Sequence, residues 1–595
     1  MLVDGMFWGG DCRIVQLLLL LLCTLVLCAC GSDHSDAPEL GNDSAVIAGS
    51  RLKSGSSMAS LPEPFPFYRM KTEDIDWYEE STGEFDANGV IMKDYGENGV
   101  HYHPVLLASY ALRLYDTYRV AGDPTAGELF LRHAEQLANS LEPWYDTWAW
   151  VYPLPNTGFG ASGRWISGMA QGLCIAVLAQ AEALTGDHRF LERAELALQA
   201  FDASLADGGV KTSIPEGGCW YEEVAAPDVE SSLILNGHIY ALAGLDYYAG
   251  LAGNTRALRL YHEGVEGVRS LLPRFDAGYL SRYCLQPIDE VRAASEFYNL
   301  VHVQQLLHLW LREGDTDFAA AALNFYAYHA DALSGVDIDV HVIESDGSYG
   351  VGVEDISDLM SDVTGVWQSP EDTPVLLVIR DRCIFPLSGV AVREWEAVHL
   401  GDFALSLYSG GDSSSAVVVH EGNASSTLGA VLAEKVRNRS ATVWFVTFEH
   451  PYDADWIELR PLEQTAGLRQ IRLAHEYPLV AVPVGTRYVL QSSALHLFDG
   501  DADTRWAVPQ DAVDLLILRN QPLEHIRLLW STSSDDTQSV VLSFSREEEE
   551  TLHVNSESGF LLAAELLDEN LLRVHLEGAF SLGVQLHEVC VEGAL

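Results

Sequence analysis

Four times between Thr117 and Ala321 an apolar helical stretch runs into a glycine-centred turn and restarts: TYRVAGDPTAGELF, EALTGDHRFLERA, YYAGLAGNTRALRL and LWLREGDTDFAAA. The turn glycines Gly122, Gly186, Gly253 and Gly314 stand 64, 67 and 61 residues apart. Glycine closes a helix in the left-handed region without steric cost, and the Asp123, Asp187, Asn254 or Asp315 that follows can cap the next helix. Each unit therefore reads as a helical hairpin. The flanks keep a period near 3.6, as in Leu106, Leu107, Tyr110, Ala111 and Leu114, then Leu129, Leu131, Ala134 and Leu137. Hairpins repeated at near-constant spacing curl into an α/α toroid, whose inner helices and connecting loops make a cleft.

Beyond about Gly335 the texture changes. VDIDVHVI, PVLLVI, FALSLY, SAVVVH, ATVWFVTF and WIELRPL alternate apolar and polar residues between Gly, Ser, Asp and Pro clusters, which is the pattern of strands. The expectation is a multidomain chain, an α/α toroid of helical hairpins followed by β-sandwich domains. Its boundaries are a leader over 1–30, a tether over 31–60, the helical domain over 61–335, a β-rich domain over 336–480 and a second sandwich over 481–595. A chain of 595 residues has room for several cores.

Lys and Arg number 35 against 86 Asp and Glu, a formal charge of −51, so nucleic acid is not an expected partner. Residues 14–30 form an apolar run too short to span a membrane comfortably, ending in Leu27, Cys28, Ala29 and Cys30. This resembles a bacterial lipoprotein signal, which implies lipid on Cys30, membrane attachment and a place in the cell envelope. A misassigned start or an uncleaved anchor are the alternatives. Cys174, Cys219, Cys284, Cys383 and Cys590 are too sparse for a disulfide framework and have no metal spacing. His101 and His103 lack a third ligand at a telling distance.

Five segments carry the acid–base side chains: RWISGMAQG, CWYEE, SSLILNGHIYAL, GYLSRYCL and EFYNLVHVQQL. Glu222 and Glu223 are adjacent carboxylates, and their mutual repulsion can raise one of them toward useful basicity. Tyr279, Arg282, Tyr283, Tyr298 and His302 add phenols, a cation and an imidazole. Taken singly, each has a plainer explanation. Aromatic and acidic neighbours at a helix start are common, buried tyrosines usually satisfy one hydrogen bond, and His302 and Gln305 can simply line a core face.

In order and together, the five segments resemble the catalytic domain of the D-glucuronyl C5-epimerases over roughly Asn98–Ala330. The resemblance implies inversion of C5 of a uronic acid within a polysaccharide, D-glucuronate becoming L-iduronate in a heparosan-like polymer, with no cofactor required. It assigns proton transfer to Glu223 and Tyr298 on opposite faces of the sugar ring, with Tyr283 holding the sugar carboxylate. Trp220, Tyr221, Glu222, Arg282, Asn236, His302, Arg164 and Gln171 are the associated substrate-binding candidates. Two positions depart from the family: Val224 stands where it has Tyr, and Gln286 where vertebrate members have Arg. A polysaccharide lyase sharing the C5 proton abstraction, or a non-catalytic glycan-binding lipoprotein, are the rival outcomes. A glycoside hydrolase is weaker, because consecutive Glu222 and Glu223 cannot flank a glycosidic bond. Residues 494–530 resemble a discoidin or F5/8 type C carbohydrate-binding module. Asp499, Asp501 and Asp503 there offer oxygen ligands for a structural Ca2+, or form an acidic turn between strands. A homodimer is the oligomeric state considered.

Overall fold

The computed structural model describes residues 49–53, 61–66, 84–286 and 292–333, and from 336 onward the strands given below with short flanking segments. The expected leader, Cys30 as the expected lipid site, and the trio Asp499, Asp501 and Asp503 lie outside the described residues. The chain divides into two compact units, Met1–Leu271 and Leu272–Leu595.

In the first unit the repeat becomes α1 (Pro104–Ala121) with α2 (Pro124–Ser140), α3 (Gly168–Thr185) with α4 (Arg189–Ala197), and α5 (Leu235–Ala252) with α6 (Thr255–Leu271). Gly122, Gly186 and Gly253 close α1, α3 and α5 in the left-handed region at φ of 70°, 75° and 63°. The residue after each turns its side chain back onto the next helix. Asp123 Oδ1 accepts from Thr125 N at 2.9 Å, Asp187 Oδ1 from Arg189 N at 3.1 Å and Asn254 Oδ1 from Ala257 N at 2.9 Å.

Helices α3 and α5 are apolar nearly all round and are buried along most of their length, whereas α4 and α6 bury one face each. The two inner helices approach backbone to backbone. A Cβ on Gly172 would stand 2.7 Å from Ala241 Cα, and one on Gly244 would stand 2.1 Å from the Gly172 carbonyl oxygen, so only glycine fits this crossing. Between hairpins lie short strand pairs: β1 (Val151–Tyr152) with β2 (Trp165–Ile166), and β3 (Lys211–Ser213) with β4 (Cys219–Tyr221). Ile166 and Ala225 exchange hydrogen bonds of 2.9 Å in both directions, and Gly168 N donates to the Glu222 carbonyl at 2.7 Å. These bonds lay the segment after β4 alongside β2 and the start of α3.

The second unit begins with β5 (Arg282–Cys284) paired to β6 (Arg292–Ala293), then the hairpin α7 (Glu296–Glu313) and α8 (Thr316–Leu333). Gly314, at φ 73°, and Asp315, accepting from Asp317 N at 3.1 Å, repeat the turn chemistry of the first unit. The β-rich part is antiparallel. One six-stranded sheet takes Glu354–Asp355, Val336–Val342, Val375–Asp381, Trp456–Pro461, Phe403–Tyr408 and Val417–Gly422 in that order. A five-stranded sheet takes Trp367–Gln368, then β8 (Gly467–His475), β7 (Leu387–Glu394), Ala441–Tyr452 and Ala430–Asn438. One apolar core draws from both sheets, with Val340, Ile379 and Leu405 from the first and Val390, Val392, Ile471 and Leu473 from the second. Further on, a five-stranded sheet (Leu479–Val484, Ala512–Arg519, Leu571–Glu577, Leu561–Asp568, Leu552–Asn555) is followed by a four-stranded one (Trp506–Ala507, Gln585–Val591, His525–Ser531, Gln538–Ser543).

Candidate active site

The two adjacent glutamates of CWYEE meet different surroundings, as consecutive residues of an extended segment must. Glu222 turns into the loop before α5. Its Oε2 accepts from Ser232 N at 3.0 Å, Ser232 Oγ at 3.2 Å and Leu233 N at 3.1 Å, and its Oε1 accepts from Ser231 Oγ. Leu233 holds φ of 51°, a left-handed conformation uncommon for a side chain of this size, and its N–H is thereby aimed at the carboxylate. Burial pushes Glu222 above the usual carboxylate range while these donors pull the other way. With its oxygens so occupied, Glu222 ties β4 to the start of α5.

Glu223 is held differently. The residue keeps some exposure, yet its Oε2 is buried and has no hydrogen-bond partner among the described residues. Burial first, and the charge of Glu222 second, raise its carboxyl to about 7. The space it fills exists because residue 237 has no side chain: a Cβ on Gly237 would stand 2.1 Å from Glu223 Oε2 and 2.8 Å from Glu223 Cβ. A carboxyl poised near neutrality, partly accessible and unspent in hydrogen bonding, is suited to take or give a proton.

Around it, Trp220 stacks on His238 at 4.0 Å between ring centres, and the Tyr221 hydroxyl donates to the Leu260 carbonyl at 2.7 Å. His238 Nδ1 accepts from Tyr221 N at 2.9 Å, and its Nε2 meets the Gly264 carbonyl at 3.1 Å. Burial lowers this imidazole to about 3, so it stays neutral and serves as a brace. Gln171 pairs with the Trp150 backbone on both sides, accepting from its N at 3.2 Å and donating to its O at 3.1 Å. Arg164 is half exposed, ion-paired with Glu142 and 5.6 Å above the Trp144 ring. Asn236 is buried at the start of α5. His103 caps α1, its Nδ1 accepting from Leu106 N at 3.1 Å.

Val224 enters an apolar cluster with Tyr152, Trp165, Ala170 and Ala226. Tyr152 lies flat on Trp165 at 3.9 Å, and its phenol, held well above its ordinary range chiefly by burial, also feels the charge of Glu223. Tyr152 was not among the residues singled out from sequence, and no motif around it marks it. His238, Ser231 and Ser232 were missed as well, although they sit inside the quoted SSLILNGHIYAL.

In the second unit, Tyr298 occupies the first turn of α7, where Ser295 Oγ caps its N–H at 3.3 Å. Asn299 and His302, one turn apart, grip Ser281: Ser281 N donates to Asn299 Oδ1 at 2.9 Å, and Ser281 Oγ lies 2.8 Å from His302 Nδ1. That grip aligns β5 on α7 and sets the Tyr283 ring edge-on to Tyr298, 5.0 Å between centres. Burial lowers His302 to about 3, and its Nε2 is buried without a partner among the described residues. Arg282 also buries its Nε without one.

The first unit thus carries a buried, unpartnered Glu223 carboxyl raised to about 7, and the second unit carries the edge-packed phenols Tyr283 and Tyr298. Residues 147–327 match the family described as the D-glucuronyl C5-epimerase C-terminus. The chain is 35% identical over 157 residues to a D-glucuronyl C5-epimerase of Caenorhabditis elegans, a match covering 24% of this chain and 25% of that protein. It is 30% identical over 170 residues to an uncharacterized protein of Methanocaldococcus jannaschii, covering 28% of this chain and 53% of the relative. The chain thus spans about half the length of one of these curated relatives and a quarter of the other. Among solved structures it matches an unsaturated glucuronyl hydrolase from Bacillus sp. GL1, at 16% identity over 38% of this chain and 61% of that one. The TM-score of that match is 0.28.

Proposed function

We propose that the protein is a polysaccharide uronate C5-epimerase that converts D-glucuronate to L-iduronate residues in a heparosan-like polymer. The observation that carries this reading is the Glu223 carboxyl, raised to about 7 and wedged against Gly237 inside the segment that matches the epimerase family. In the proposed reaction the Glu223 carboxylate takes the C5 proton. The electron pair of the C5–H bond moves into the sugar carboxylate as an enediolate, stabilised by Tyr283 and Arg282. Tyr298 returns a proton to the opposite face of C5, and Glu223 and Tyr298 exchange proton states with solvent before the next turnover. Atoms balance with no cofactor, and a structural Ca2+ at Asp499, Asp501 and Asp503 is outside the chemistry. The working form is proposed to be held at the bacterial cell envelope through lipid on Cys30, with the polysaccharide as partner and a homodimer as the oligomeric state.

The test is NMR of glucuronate polymers incubated with the protein in D2O. Deuterium at C5 together with iduronate signals supports the reading, unsaturated chain ends establish a lyase, and no exchange on any polymer overturns both. Because the carboxylate is the base, the rate rises with pH through about 7. Glu223→Gln and Tyr298→Phe each abolish exchange while the far-UV circular dichroism is kept.

A further inference from the structure

Arg472 is a guanidinium in an unusual place. It lies in the middle of β8, 1% exposed, in a strand whose neighbouring Ile471 and Leu473 enter the core shared by the two sheets. Alternation along the strand therefore sends Arg472 to the other face. Its register partner on β7 is Ala391, which shares that second face and packs with Tyr279, Leu280, Ala293 and Tyr328 of the segments flanking β5 and α7. At this point the sheet is covered on both sides, by its own core on one and by residues around β5 and β6, with Tyr328 of α8, on the other.

A buried guanidinium needs an anion, and among the described residues Glu296, the first residue of α7, pairs with it. Glu296 is two residues ahead of Tyr298 and follows Ser295, whose hydroxyl caps the Tyr298 N–H. A further titratable group facing Arg472 among the described residues is His329 of α8, which burial and the Arg472 charge together lower to about 4, leaving it neutral. The first turn of α7 is therefore gripped from two directions. Ser281 holds it through Asn299 and His302, and the β-rich domain holds it through Arg472 and Glu296.

We propose that Arg472 is a positioning residue for Tyr298: through Glu296 the β-rich domain fixes the first turn of α7 and so sets where the Tyr298 phenol points. The β-rich domain is then part of the proton-transfer machinery and not an appended module. The catalytic half of this statement rests on the epimerase reading, while the structural half does not.

The experiment uses the full chain and the variants Arg472→Met, Arg472→Lys, Glu296→Gln and the double variant Arg472→Met/Glu296→Gln. Glu296 is partly exposed, so Glu296→Gln tests the link even where Arg472→Met fails to fold. Amide hydrogen exchange of residues 297–301, compared with α3 as an internal standard, reads the clamp without any assumption about activity. The expected result is at least tenfold faster exchange at these amides in Arg472→Met and Glu296→Gln, little change at α3, partial recovery in Arg472→Lys, and a double variant no worse than either single one. C5 deuterium exchange on a glucuronate polymer should then fall about tenfold to a hundredfold in kcat with KM nearly unchanged. Unchanged amide exchange in 297–301, or additive effects in the double variant, overturns the clamp. A loosened α7 with normal kcat overturns the positioning role. Loosened amides, with neither wild type nor variants showing C5 exchange, would refute the epimerase reading while retaining the clamp.

Discussion

Glu223→Gln should make the protein more stable, and the gain should depend on pH. A carboxyl that sits near 4.5 when the chain is unfolded and at about 7 when folded keeps its proton in the native state over a range where the unfolded chain has released it. The folded state then binds more protons than the unfolded one, so stability falls as pH rises from about 4.5 to about 7 and stays lowered above that. At about 1.4 kcal/mol for each tenfold change, full ionisation costs about 3 kcal/mol, and the partial access of the residue to water brings the expectation to about 2 to 3 kcal/mol. Glutamine has nearly the same shape and no charge, so it removes this cost. Urea unfolding followed by circular dichroism at 222 nm, which reports the helices, should give a variant more stable than wild type by about 2 to 3 kcal/mol at pH 8.5 and by less than about 1 kcal/mol at pH 5, with unchanged m. Loss of catalysis should accompany the gain. A difference that is the same at both pH values, or a variant less stable at pH 8.5, would refute the argument that the Glu223 carboxyl is held against its own ionisation.

Gly237→Ala puts a methyl where Glu223 Oε2 and Cβ already stand, so it should lower kcat about a hundredfold and cost about 1 to 3 kcal/mol by urea titration. Gly253→Ala is the control: at φ 63° with nothing within 4 Å, it should cost only about 1 kcal/mol of backbone strain and leave C5 exchange unaltered. Glu222→Gln removes the second cause that raises Glu223 and should move the midpoint of the pH–rate profile downward.

The hairpins were legible because every signal that builds them is local. Gly122 and Asp123, or Gly314 and Asp315, end one helix and start the next within a few residues, and the observed φ values and cap bonds follow from those residue types alone. The family segments were legible as an ordered series, and the match over residues 147–327 agrees with that reading. What sequence hid is whatever depends on distant partners. Gly237 stands out in sequence only as part of LILNG, and the reason it must be glycine appears when the Glu223 carboxyl is seen against it. Arg472 and Glu296 are 176 positions apart, with strands between them, and nothing in LRQIRLAH marks Arg472 as a buried residue.

The CWYEE motif shows why spacing alone cannot assign roles to adjacent acids. Two identical carboxyls stand side by side in the sequence, and their mutual repulsion does not say which of them is raised. The structure breaks that symmetry by what each meets on its own side of the chain. Glu222 finds the N–H groups of Ser232 and Leu233 and two hydroxyls, which spend its acceptor capacity in fastening the loop before α5. Glu223 finds the bare Cα of Gly237 and a buried, partnerless place for Oε2, which leaves it reactive. The fastening also supplies the fixed charge that lifts Glu223 further, so the structural acid tunes the reactive one. A chain with Asp at 222 would lose the reach to Ser231 and Leu233, and one with Ala at 237 would lose the place for Glu223. The motif therefore works only as CWYEE read together with SSLILNG.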